Sequence, residues 1–296
     1  MSPLDARNER DKALELTLDG LKDFQLATVK RIMELFSDPT HSQRILVADE
    51  VGLGKTIIAK GVIASLLKDW EEPRPMRVTY ICSNLALATE NRKKLAVFSG
   101  AEQSKLVKEP SFGRLAEVAI PPEPDRTQTQ VLEVCSLTPA TSFSLTQGAG
   151  NRGERLIIFS ALLRHSELAG CQDGLSDLFR NQVIDANKWS ADLMALQGRP
   201  MHAKILEDFH KKLTQPIENA KQGGQNWLDV IKKISSHGVD AVKDLEKSFL
   251  RKVRRLFVTC CAANLDADLF ILDEFQRFKD LINDSQVNEQ APINDS

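Results

Sequence analysis

Two short stretches of this chain carry residue types that bind and split phosphates. The first is VADEVGLGKT, from Val47 to Thr56. Gly52 and Gly54 let a loop approach an anion closely, and the N–H groups of that loop and of a following helix point at it. Lys55 has the reach to meet the outer phosphates of a nucleotide, and the Thr56 hydroxyl is placed to bind Mg²⁺. The second stretch is LFILDE, from Leu269 to Glu274, four apolar residues ending in two carboxylates. At the end of a buried strand, Asp273 holds Mg²⁺ directly or through water, and Glu274 orients an attacking water. Alone, each stretch has an ordinary alternative, a glycine-rich turn or a strand end meeting solvent. Together they describe the two halves of a nucleoside triphosphate site.

The intervening elements must hold these halves together. Ile45–Ala48 is expected to be a buried strand and the apolar run from Lys55 to Leu67 a helix, giving strand, phosphate loop, helix. Lys55 and Asp273 are then expected at the ends of neighbouring strands. Upstream, Leu21, Phe24, Val29, Ile32, Leu35 and Phe36 recur at helical spacing and define one buried face. Gln25 falls near that face, where it is either half exposed or in need of a polar partner such as an adenine edge. Two prolines within Glu71–Arg77 mark a turn. Arg77–Cys82 then reads as a strand and Ser83–Leu95 as a helix, the βαβ rhythm of a doubly wound sheet. Ser111–Ile120 and Val131–Leu137 are two further candidate strands.

Beyond a glycine-bearing turn at residues 148–153 the pattern becomes mainly helical up to Leu256. The 218 residues that separate Lys55 from Asp273 exceed what one compact α/β core requires, so residues 150–256 read as a helical insertion. Residues 201–255 hold twelve Lys and Arg against seven Asp and Glu, a local basic excess. In the last helix Val242, Leu245, Phe249, Val253, Leu256 and Cys260 form one face. Lys243, Lys247, Arg251, Arg254 and Arg255 gather on the other. That basic stripe is either a solvated helix face or a groove for phosphates, and it carries no aromatic side chains for base stacking.

DEVGLGKT has Asp49 where the usual phosphate loop has glycine, and it resembles motif I of superfamily 2 helicases, above all their Swi/Snf-type translocases. DEFQRFK, from Asp273 to Lys279, is similar to the Walker B segment of the same proteins, with Gln276 in place of the family's histidine. The resemblance runs from about residue 21 to 282. It implies an α/β fold, a RecA-like parallel sheet flanked by helices as in P-loop NTPases, with a mainly helical insertion between motif Ib and Walker B. It further implies that Gln25 contacts adenine and that Asp49, Glu50, Gly52, Leu53, Gly54, Lys55 and Thr56 hold the nucleotide. Thr56 and Asp273 then bind Mg²⁺; Lys55, Asp273 and Glu274 are catalytic; Gln276 and Arg277 couple nucleotide state to nucleic acid. Ser83 and Asn84 sit at motif Ia, where they either touch a nucleic-acid backbone or cap a helix. Thr138 and Thr141, in LTPATSF, match motif Ib, although Ser/Thr/Pro clusters are common in plain loops. Lys247, Arg251 and Arg254 are the nucleic-acid candidates of the basic stripe.

Composition limits the alternatives. A net charge of −2 excludes nucleic-acid binding by bulk charge, so any such site must be local. Five cysteines without a C-x-x-C pair argue for a reduced compartment and against a zinc site. The first residues lack the apolar core of a signal peptide and no stretch approaches a membrane span, so a cytoplasmic protein without a membrane partner is expected. The domain reading is a polar lead-in at 1–20, an ATP-binding domain from 21–149 and 257–282, the insertion at 150–256, and a polar tail at 283–296. The functional expectation is an ATP hydrolase of helicase type using ATP and Mg²⁺, acting on nucleic acid, DNA before RNA. Motif III and a second lobe do not follow Asp273, so the chain reads as a truncated or split form that needs a second RecA-like lobe for full hydrolysis. Two competitors stand beside it: a non-catalytic nucleotide or nucleic-acid binding module that regulates a partner, and a P-loop ATPase that never touches nucleic acid.

Overall fold

The computed structural model describes residues 3–48, 54–82, 85–109, 111–112, 114–121, 130–138, 150–180, 185–217, 225–237 and 246–273. The chain divides into two compact units. The first comprises Met1–Ser111, Pro124–Thr138 and Asp266–Ser296; the second comprises Phe112–Glu123 and Pro139–Leu265.

The first unit is α/β. Its helices are α1 (Pro3–Asp19), α2 (Asp23–Ser37), α3 (Lys55–Lys68), α4 (Leu85–Lys94) and α5 (Gly100–Leu106). Its sheet uses β1 (Met76–Ile81), β2 (Val107–Lys108), β4 (Leu132–Leu137) and β5 (Leu269–Leu272) in the order β2-β4-β1-β5. The pairings β2–β4, β4–β1 and β1–β5 are parallel. A parallel strand covered on both faces is apolar or satisfied on both, as in VTYI of β1, whereas β5 covers Leu269 and Ile271 in part and leaves Phe270 and Leu272 exposed. Ile63, Ala64 and Leu67 of α3 and Leu14 of α1 form one core with Met76, Val78 and Tyr80 of β1 and Leu132 and Val134 of β4. Residues 1–20 are thus more than a polar lead-in: α1 buries Leu14, and the Thr17 hydroxyl donates to Val97 O at 2.7 Å.

Two expected strands take other forms. Ile45–Ala48 carries no strand pairing. Ile45 and Val47 instead pack on Val29, Ile32, Ile58 and Val62 of α2 and α3, while Leu46 is 68% exposed. An apolar run satisfies a helical surface as well as a sheet, and the described partner of β5 is β1, so Lys55 and Asp273 do not end on neighbouring strands here. Among the described residues of Ser111–Ile120, β3 (Ser111–Phe112) is a two-residue strand and Leu115–Ala119 is a 3₁₀ turn that buries Leu115, Ala116 and Ala119. The spacing i, i+1, i+4 is helical rather than alternating.

The second unit holds α6 (Arg152–Leu163), α7 (Gln172–Arg180), α8 (Ala186–Gln197), α9 (Ala203–Thr214), α10 (Trp227–His237) and α11 (Glu246–Ala263). Its centre is aromatic: Phe159 stacks on Phe179 with centroids 5.0 Å apart, and Phe209 meets the edge of Phe257 at 4.9 Å. The boundary of this unit includes residues 112–123 and all of α11, wider than the 150–256 read from the sequence. No helix among the described residues is long and apolar enough to cross a membrane.

Helices α2 and α3 approach closely at Gly61, where an added Cβ would lie 2.7 Å from Val29 Cγ2 and 2.8 Å from Leu21 Cδ1. Leu21 can swing aside, but a β-branched valine is stiff. Overpacking costs about 1–3 kcal/mol, and replacing a helical glycine by alanine returns about 1 kcal/mol. Gly61→Ala is therefore expected to lower unfolding stability in chemical denaturation, and its cost is expected to shrink in a Val29→Ala background.

Candidate functional site

Asp273 is positioned by the register of β5 against β1. Leu269, Phe270, Ile271 and Leu272 pair with Val78, Thr79, Tyr80 and Ile81. The ladder runs one residue further, because Asp273 N–H donates to Ile81 O at 2.8 Å. At the opposite end Asp268 accepts both Nη groups of Arg74, at 2.7 and 2.8 Å, and the Arg77 N–H at 2.8 Å. This bidentate pair, with Arg74 also lying over the Trp70 ring at 5.0 Å, pins the start of β5. The guanidinium of Arg74 holds the Asp268 carboxyl below the usual carboxylate range. Alternation then turns Leu269, Ile271 and Asp273 to the sheet face that carries Val78 and Tyr80. That is the face covered by α3.

Helix α3 begins at Lys55, directly after Gly54. Its seven-residue connection to β1, Asp69–Pro75, makes it retrace the strand, and 14 helical residues and six strand residues both span about 20 Å. The start of α3 therefore faces the end of the sheet that bears Asp273. Gly54 precedes Lys55 in the left-handed region, with φ +84°, and its carbonyl accepts the N–H groups of Ile57 and Ile58 at 2.7 and 3.0 Å. A Cβ at Gly54 would also meet Gln25 Nε2 at 2.8 Å, and the positive φ makes any side chain there strained. Lys55 and Thr56 follow as half-buried residues of the first turn, which bears no acidic side chain. Gln25 is buried in α2, and its Oε1 accepts from Lys22 N–H at 3.1 Å. The glutamine, not Phe24, turns inward; Phe24 is 43% exposed.

Around Asp273 two side chains appear that sequence reasoning missed. Tyr80 Oη donates to Asp273 Oδ2 at 2.5 Å. Asn91 Nδ2, from α4, donates to the same Oδ2 at 3.1 Å and to Tyr80 Oη at 2.8 Å. Burial, reinforced by the neighbouring Asp273 carboxylate, pushes the Tyr80 hydroxyl far above its ordinary value, so it remains a donor. A signal existed for both. Tyr80 puts a hydroxyl into an apolar strand, where it must find a partner. Asn91 lies on the helical stripe of Ala88 and Leu95, both buried.

Of the other sequence-derived candidates, Thr138 follows β4 with its side chain covered, at 1% exposure. Arg251 is exposed on α11. Arg254 is not part of that solvated stripe. Its side chain is buried, and Nε and Nη2 donate to Glu154 Oε1 at 3.3 and 3.2 Å, while Arg114 Nη1 donates to Glu154 Oε2 at 2.8 Å. The reason is that α11 is covered over a wide arc. Phe249, Val253, Phe257, Val258, Cys260 and Cys261 are all buried, and Arg254 lies three and four residues from Phe257 and Val258. Asp49, Glu50, Gly52, Leu53, Ser83, Asn84, Thr141, Glu274, Gln276 and Arg277 lie outside the described residues, as does the side chain of Lys247.

No group of three His, Cys, Asp or Glu side chains that could hold a metal occurs among the described residues. The hydroxyl of Thr56 and the carboxylate of Asp273 are hard oxygen donors of the kind Mg²⁺ takes, and that ion needs few protein ligands when phosphates and water complete its shell. No family model matches this chain, and neither a curated protein nor a solved structure does. The burial of Arg254 is open to measurement. Removing one partner of a buried ion pair costs about 3–5 kcal/mol; with Arg114 still on Glu154, Arg254→Ala is expected at the lower end of that range in equilibrium denaturation, and Arg251→Ala is expected to leave stability essentially unchanged.

Proposed function

We propose that the first unit is the ATP-binding, RecA-like lobe of a nucleic-acid-dependent ATPase of the superfamily 2 type. The observation that carries this reading is the placement of the Asp273 carboxylate on the α3-covered face of the sheet, at the end toward which Lys55 opens its helix. In this reading Gly54 and Lys55 bind the phosphates, and Thr56 and Asp273 hold Mg²⁺. Held by these two residues, Mg²⁺ would supply positive charge to the phosphates. Glu274 orients the attacking water, and Gln25 lies beside the loop, where its carboxamide borders the nucleotide. The DEVGLGKT and DEFQRFK segments support assignment to the Swi/Snf-type branch, whose cleft is closed by a second RecA-like lobe carrying an arginine that stabilises the transition state. Nucleic acid is the partner in this reading, with Ser83 and Asn84 as its backbone contacts.

A charge-assisted contact contributes about 1.5–3 kcal/mol, so Lys55→Ala is expected to weaken ATP·Mg binding by about ten- to a hundredfold. Turnover measured with and without DNA separates the readings. DNA-stimulated hydrolysis that Lys55→Ala abolishes supports the motor lobe; hydrolysis indifferent to nucleic acid supports a plain ATPase. Tight nucleotide binding without hydrolysis, even beside an added second lobe, supports a regulatory binding module. Absence of nucleotide binding by the unaltered chain overturns the proposal.

A further inference from the structure

One carboxylate oxygen, Asp273 Oδ2, receives two donors that also bond each other, so Tyr80, Asn91 and Asp273 form a closed triangle. Tyr80 and Asn91 are both buried, and they come from different elements, β1 and α4. Lys94 Nζ lies 3.5 Å from Asn91 Oδ1, which fits the amide orientation that turns Nδ2 toward the triangle. A surface carboxylate rotates freely about its last bond. Here that rotation would break two hydrogen bonds at a partly buried site, which costs more than in water.

We propose that Tyr80 and Asn91 are positioning residues for the metal-binding carboxylate of Asp273, an assignment that rests on the nucleotide-site reading above. By engaging Oδ2 they set the plane of the carboxylate that would hold Mg²⁺. Groups that orient a metal ligand in this way typically change metal affinity about 10–100-fold when removed. Tyr80 is the only tyrosine of the chain, so its phenol is a probe that needs no assignment.

The test measures the affinity of the full chain for a fluorescent ATP analogue with Mg²⁺ and with EDTA, in the unaltered protein, Tyr80→Phe and Asn91→Leu, together with thermal unfolding. The affinity gained from Mg²⁺ is expected to fall by about tenfold or more in Tyr80→Phe and by less in Asn91→Leu, with Mg²⁺-free affinity nearly unchanged. In protein labelled with ¹³C at the hydroxyl-bearing ring carbon of tyrosine, the single resonance is expected to shift on addition of nucleotide with Mg²⁺ and not with EDTA. If the Mg²⁺ gain is the same in all three proteins, or both affinities fall together with the melting temperature, the positioning role is wrong and the nucleotide site stands. If the unaltered protein binds nucleotide no better with Mg²⁺, the site reading itself fails. Should Tyr80→Phe not fold, Asn91→Leu and the resonance decide.

Discussion

Four residues of β1, Val78 to Ile81, pair in parallel with Leu269 to Leu272, and through this short ladder Tyr80 meets a carboxylate 193 residues away in the chain. Closing a loop of that size costs entropy that grows only slowly with its length, so a long insertion is tolerable if the closing contact is well specified. Specification comes from both ends. Arg74 and the Arg77 amide grip Asp268 before the strand, and the Asp273 N–H joins Ile81 O after it. A slip of one residue would turn Asp273 to the opposite face of the sheet. The contact of Asp273 with Tyr80 and Asn91 depends on that register holding.

The helical unit meets a different constraint. Glu154 is buried, and a carboxylate withdrawn from water must be paired. Arg254 and Arg114 reach it from α11 and from the segment ahead of the 3₁₀ turn, and Asn151 completes the cap of α6. Around these polar contacts the aromatic set of Phe159, Phe179, Phe209 and Phe257 supplies the apolar burial. An arginine in that role contributes to folding and is covered from solvent.

Periodicity served best where one element carried one face. The helices at Asp23–Ser37 and Lys55–Lys68 and the strands at Met76–Ile81, Leu132–Leu137 and Leu269–Leu272 lie within a residue or two of their predicted spans. It failed where a residue type allowed two environments. Ile45–Ala48 is apolar enough for a strand, yet it packs on helices without a ladder, because pairing depends on which edge stands beside it. Arg254 is charged, yet a helix covered on several sides leaves it inside, because a partner 100 residues earlier in the chain neutralises it.

By itself, the order of residue types determined that a glycine-flanked lysine opens one helix and that an acidic pair ends one apolar strand. Both are local facts, written in turn chemistry, capping and alternation over a few residues. Which sheet face receives Asp273, and that a tyrosine from β1 and an asparagine from α4 close on one of its oxygens, was decided only by the tertiary fold. The contact is made between segments whose separation no local pattern encodes, and hydrogen-bond direction exists only after the register is set.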